Sequence, residues 1–144
     1  MAKVEANVAA QGASLLVVDD EPAVLKVTQK LLERRGYQVV ACQSAEEALA
    51  WLGREIFDVV LSDVQMPGMG GIGLLRAVHE QDADLPVILV TGNPSSETEA
   101  AAHELHAFQY LTKPVAYVEL DEVVTDATTS SRRSSRRLLE LRPR

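Results

Sequence analysis

The chain has 144 residues, 47% of them apolar and 24% charged, with a mean hydropathy of −0.01 and a net charge of −7. That balance describes one globular domain rather than a disordered chain, and no apolar run approaches the roughly 20 residues needed to cross a bilayer. Residues 127–144 hold six arginines against one glutamate, a surplus of five positive charges, which leaves −12 on the first 126 residues and makes them a poor nucleic-acid surface.

In chain order, residues 1–13 read as a flexible leader, and "MAKVEANVAAQGA" lacks the apolar core of a signal peptide. "SLLVV" (14–18) is the first strand run, followed by a helical pattern over 22–35 in which Val24, Leu25, Thr28, Leu31 and Leu32 share one face and Gly36 provides a stop. "YQVVA" (37–41) is the second strand run. Beside it stands the lone Cys42, a small buried hydrophobe that cannot form an internal disulfide and so fits a cytoplasmic protein. "SAEEALAWL" opens a helix over 44–53, with Glu47 three residues after Ser44 in the spacing of a capping box. "FDVVLS" (57–62), a helix over 70–81, "LPVILV" (85–90), a helix over 95–105, "FQYL" (108–111) and a helix from 115 onward complete the series. Three of the five strand runs are continuous rather than alternating, as strands buried on both faces should be. Five strand runs alternating with five helices predict an α/β domain whose parallel sheet is covered by helices on both sides.

In open sheets of this kind, ligands bind beyond the carboxyl ends of the strands. Asp19 and Asp20 end the first strand, Asp63 the third, Thr91 the fourth and Lys113 the fifth, so four separated segments bring three carboxylates, a hydroxyl and an ammonium to one rim. Singly, each has a plainer reading: Asp20 as a cap for the helix that Pro22 begins, Asp63 as a turn residue, Thr91 as a loop cap, Lys113 as a surface lysine. Together they suggest hard oxygen ligands for Mg²⁺ beside a cation, which is suited to phosphoryl chemistry. Asp58 lies in the same strand as Asp63 but about 16 Å away, at the amino end.

"VVDDEP", "DVVLSDVQMPGMGG", "VILVTGN" and "YLTKP" resemble the receiver domain of two-component response regulators, in the right order and spacing over about residues 13–127. The resemblance implies a flavodoxin-like, doubly wound five-stranded sheet of order 2-1-3-4-5 over residues 14–128. It implies that Asp63 accepts a phosphoryl group from a histidine kinase or phosphotransfer protein. Asp19, Asp20, Asp63 and the backbone carbonyl of Gln65 would hold Mg²⁺, Thr91 and Lys113 would contact the phosphoryl oxygens, and Tyr110 matches the switch aromatic. The Lys113–Pro114 bond is of a kind that is cis in relatives, and the face of helix 4, strand 5 and helix 5 would meet an output domain or partner protein. An aspartyl-phosphate phosphatase would use similar groups, but Gln65 stands where such enzymes carry their acid/base aspartate, so an enzyme is not expected. A phosphate-independent interaction module remains the third reading.

The chain departs from the family pattern in three places. Gly70 replaces the usual capping Asp or Asn, which predicts a loose helix start; His106 stands in place of the glycine before strand 5; and Pro94 follows Asn93. "HELHAF" is similar to the phosphoacceptor segment of sensor kinases. The Arg-Thr-Pro continuation and the paired long helices are missing, so His103 and His106 are assigned to surface or cap positions. Leu120, Val124, Ala127, Ser131, Ser134, Leu138 and Leu141 follow a 4-3 spacing whose serine-rich middle has little to bury, so any homodimer formed there would be weak. The last helix is accordingly expected to end near Ala127 to Ser130, with 129–144 a basic linker towards an output domain or a solvated tail.

Overall fold

The computed structural model describes residues 12–140, with side chains described as far as residue 132. Among the described residues, five strands alternate with five helices: β1 (Ser14–Val18), α1 (Pro22–Arg34), β2 (Gln38–Cys42), α2 (Ala45–Leu52), β3 (Val59–Asp63), α3 (Gly70–Gln81), β4 (Val87–Thr91), α4 (Ser96–Glu104), β5 (Gln109–Thr112) and α5 (Tyr117–Glu140). All pairings are parallel and the sheet order is β2-β1-β3-β4-β5, as the alternating pattern and the resemblance imply. None of these helices is long and apolar enough to cross a membrane.

The pleat sends alternate strand residues to opposite faces. Leu16, Val18, Val60 and Leu89 pack with Ala45, Ala48, Leu74, Leu75, Val78 and Ala102, so α2, α3 and α4 cover one side. Leu15, Val17, Val59, Leu61 and Ile88 pack with Leu25, Leu32, Leu120, Val124 and Ala127, so α1 and α5 cover the other. This double covering accounts for the continuous apolar runs.

Strands two to five begin and end one or two residues later than the apolar runs predict. Phe57 and Leu85 are buried, yet they lie in the loops entering β3 and β4. At the other end the ladder continues into polar residues, with Asp63 opposite Val90 and Thr91 opposite Thr112. The site residues are thereby fixed by the sheet itself.

The expected leader overlaps the domain by two residues. Gly12 donates to the Gly36 carbonyl, the Ala13 carbonyl accepts from Gln38, and Ala13 is buried; residues 1–11 lie outside the described residues. Ser44 caps α2, accepting from the Glu47 N–H at 3.1 Å, while the Glu47 carboxylate accepts from the Gln43 N–H.

The end of α5 differs from expectation, because the helix continues to Glu140 rather than stopping near Ala127 to Ser130. Small polar residues there are buried after all: Thr128 is fully enclosed and Ser131 is 8% exposed. Thr125 meets the Tyr37 hydroxyl at 3.2 Å and Arg35 pairs with Asp121 at 2.9 Å, so the α1 region anchors the first half of α5, and the burial of Thr128 and Ser131 carries its packing past the expected end. Leu141 of the 4-3 spacing lies outside the described residues, as do the side chains of Ser134 and Leu138.

Helix α4 ends as the sequence predicts. His106 takes φ 61°, its N–H meets the His103 carbonyl, and Ala107 reaches back to Ala102, closing a Schellman turn with histidine in the position that usually favours glycine.

Candidate functional site

The site grows from the carboxyl ends of β1, β3, β4 and β5. Asp19 leaves β1 with its N–H bonded to the Cys42 carbonyl, and its Oδ1 accepts from the Glu21 N–H at 2.9 Å, which turns the chain into α1. Asp63 ends β3, Thr91 ends β4, and the Lys113 N–H donates to the Thr91 carbonyl at 2.7 Å just beyond β5. The Lys113–Pro114 bond is cis.

Asp19, Asp20 and Asp63 each offer a carboxylate oxygen, and these oxygens lie within 4.8 Å of one another. Lys113 Nζ donates to Asp63 Oδ2 at 3.2 Å and to Asp19 Oδ2 at 3.4 Å. One ammonium therefore faces three carboxylates, and the cluster keeps a negative excess. Burial raises the pKa of the Asp63 carboxyl, repulsion from Asp19 adds to that, and Lys113 only partly offsets it. For Lys113 burial acts downward, but the attraction of Asp19 and Asp63 outweighs it and the ammonium is held above its usual range.

Asp63 is 7% exposed, and its Oδ1 is buried with no hydrogen-bond partner among the described residues. An orphaned carboxylate oxygen in a low-dielectric cleft is costly unless a ligand completes it. The donor set, hard oxygens with a negative excess, fits Mg²⁺ better than a softer metal.

The loop after Asp63 is packed against it. A Cβ on Gly71 would sit 2.2 Å from the Asp63 carbonyl oxygen, so only glycine allows this approach, and Gly70 takes φ 72°. As expected from the glycine in the capping position, α3 begins with no side-chain cap bond. The Gly71 N–H bonds to the Val64 carbonyl, and Glu46 reaches from α2 to accept from the Met69 N–H at 3.0 Å. That bond draws the pKa of the Glu46 carboxyl below its usual range.

Thr91 is buried at the rim, but its hydroxyl donates to Gln65 Oε1 at 2.5 Å and accepts from the Asn93 N–H at 3.0 Å. Tyr110, half-buried on β5, turns its hydroxyl to α4, meeting Thr98 Oγ1 at 2.7 Å and the Ser95 N–H at 3.4 Å. Asp58 bonds to the Ser14 N–H at the opposite pole, consistent with its exclusion.

The partners of the Gln65 and Glu46 side chains were not anticipated from sequence, and no local pattern points to them, since both reach across 23 or more residues. Also unanticipated is an apolar groove of about 460 Å³ between α1 and α5, lined by Val24, Val27, Leu31 and Tyr117, which opens onto Asp63 and Lys113.

Residues 15–125 match the sequence profile of the response regulator receiver domain. The chain is 38% identical over 119 residues to the transcriptional regulatory protein GlrR of Escherichia coli, spanning 83% of this chain and 27% of that protein. It is 39% identical over 103 residues to the C4-dicarboxylate transport transcriptional regulatory protein DctD of Rhizobium meliloti, spanning 72% of this chain and 22% of that one. The chain thus spans about a quarter of the length of these relatives. Among solved structures, a CheY-like receiver domain protein from Methanospirillum hungatei superposes with a TM-score of 0.82 at 31% identity, covering 86% of this chain and 99% of that one.

Proposed function

We infer the function from one premise: the chain belongs to the response regulator receiver domain family. On that basis we propose a phosphorylation-dependent signalling switch in which Asp63 is the phosphoacceptor. The observation that carries this reading is the pairing of a buried, unpartnered Asp63 Oδ1 with an ammonium 3.2 Å from the other oxygen of the same carboxylate.

An Asp63 carboxylate oxygen attacks the phosphorus of a phosphohistidine. The P–O bond forms as the P–N bond breaks, the imidazole leaves with the bonding pair, and an acyl phosphate remains on Asp63. Lys113 neutralises phosphoryl oxygens and so opposes the repulsion that three carboxylates exert on an incoming anion. Asp19, Asp20, Asp63 and the Gln65 carbonyl are the groups that would hold Mg²⁺. When bound, the ion supplies charge neutralisation for the phosphoryl group. Thr91 would donate to a phosphoryl oxygen, and Tyr110 would follow the movement of the loop after β4.

The donor is a histidine kinase or phosphotransfer protein, because its phosphohistidine must approach along the rim, where the apolar groove beside Lys113 suits a protein surface. The signal leaves through α4, β5 and α5 towards an output domain or partner protein in the cytoplasm, with α5 also available to contact a second copy. Gln65 in the place of an acid/base aspartate favours a switch over a hydrolytic enzyme.

Mass spectrometry after exposure to a small phosphodonor with Mg²⁺ tests the proposal. One acid-labile phosphate, lost in Asp63→Asn, is expected. An adduct that persists in that variant, or none with any donor, overturns it.

A further inference from the structure

The contacts of Gln65 are not explained by metal binding, which would use its backbone carbonyl. Its side chain joins the loop after β3 to the end of β4 and the loop that follows: Oε1 accepts the Thr91 hydroxyl proton at 2.5 Å, and Nε2 donates to the Asn93 carbonyl at 3.3 Å. Asn93 in turn donates its N–H to Thr91 Oγ1 at 3.0 Å. The Asn93 carbonyl fixes the orientation of the amide, since turning it over would set two acceptor oxygens against each other.

A hydroxyl carries one hydrogen. Thr91 can contact a phosphoryl oxygen as a donor only by giving up Gln65, because its lone pairs offer nothing to an anion. Two acceptors, the amide oxygen and the phosphoryl group, therefore compete for one proton. The loop between Thr91 and α4 is pinned at its far end as well, where the Tyr110 hydroxyl meets Ser95 and Thr98. Release of Thr91 would free the near end and leave the Tyr110 anchor to transmit the movement to α4.

We propose that the Gln65 side chain is a positioning residue that latches Thr91 and the following loop in the unphosphorylated arrangement, so that phosphorylation must displace it. The inference rests on Asp63 being the phosphoacceptor. It concerns the free-energy difference between the two arrangements, and Gln65 acts through Thr91 without touching the reacting atoms.

The test uses beryllofluoride with Mg²⁺ as a phosphoryl mimic, titrated by nuclear magnetic resonance into the full chain and into Gln65→Met, which keeps side-chain length and removes the amide. Net loss of one competing hydrogen bond predicts about five-fold tighter binding in Gln65→Met. The Asn93 carbonyl, freed from the Gln65 amide, should also show a shifted carbon-13 resonance in the absence of the mimic. In a Thr91→Val background the same Gln65→Met change should leave affinity unaltered, because no proton is left to contest. Unchanged or weaker binding in Gln65→Met overturns the latch, as does an equal gain in the Thr91→Val background. Failure of the unmodified chain to bind the mimic at all overturns the phosphoacceptor reading itself, whereas intact binding with a null effect of Gln65→Met overturns only the latch.

Discussion

Replacing Asp63 with asparagine should make the protein more stable at neutral pH. Each neighbouring carboxylate oxygen lies no more than 4.8 Å from that of Asp63, and at an effective dielectric near 20 such a pair repels by about 3.5 kcal/mol. Asp19 and Asp20 together thus oppose ionised Asp63 by roughly 7 kcal/mol, and Lys113 at 3.2 Å returns about 5 kcal/mol on the same scale. The difference, about 2 kcal/mol before desolvation is added, agrees in sign with the raised pKa of Asp63. Asparagine removes the repulsion and leaves the Asp19–Lys113 pair in place. Thermal unfolding at pH 7 should then shift upward by roughly 5 °C. A carboxyl whose pKa is raised on folding favours the fold below its unfolded value and loses that contribution as pH rises through its folded value. The advantage of Asp63→Asn should therefore shrink as pH falls into the acid range where Asp63 regains its proton. Saturating Mg²⁺ should also narrow it, because an ion held by the proposed carboxylate site would favour the folded wild-type chain. A variant less stable than wild type at pH 7, or an advantage that does not change with pH, would refute the electrostatic account.

Lys113→Ala should fold normally but bind beryllofluoride with Mg²⁺ at least ten-fold more weakly, since a charge-assisted bond to the anion is lost; equal affinity in titrations would show that the ammonium is dispensable. Gly71→Ala should destabilise the chain by roughly 1–3 kcal/mol in denaturant unfolding, because the new Cβ meets the Asp63 backbone rather than a flexible side chain, and a neutral result would mean that the loop relaxes freely. His106→Gly should gain about 0.5–1 kcal/mol by the same measurement, the left-handed strain relieved less the added backbone entropy of glycine, and a loss would point to an undetected role for the imidazole.

The convergence of Asp19, Asp20, Asp63 and Lys113, and the place of Thr91 at the end of β4, were legible because strand ends are marked twice, by a buried apolar run and by the first polar residue after it. Their coming together needs only the parallel order of the sheet. Strand starts were less legible: Phe57 and Leu85 are apolar for packing, not for pairing, and composition does not separate those roles. The conformation at His106 could be anticipated because a helix stop has a local backbone requirement. The tether from Glu46 to Met69 could not, since it depends on how α2 lies against the loop before α3. The length of α5 was misjudged for a related reason. Thr128 and Ser131 look like surface residues by chemistry, yet both are buried, and residue type alone does not carry that.

Helix α5 contains 24 residues, about 36 Å of stiff rod at 1.5 Å per residue, seated on the sheet by Leu120, Val124 and Ala127. Such a rod acts as a lever and as a phase marker. A tilt of about 5° at its base carries the far end sideways by roughly 3 Å, and a turn about its axis is delivered undiminished. Whatever follows Glu140 in helical continuity inherits an angular setting fixed by the residues that seat α5 on the sheet. One residue inserted between Ser131 and Glu140 would rotate that setting by about 100°, while seven would nearly restore it. Any signal passed along α5 should therefore depend on the phase of an insertion far more than on its length.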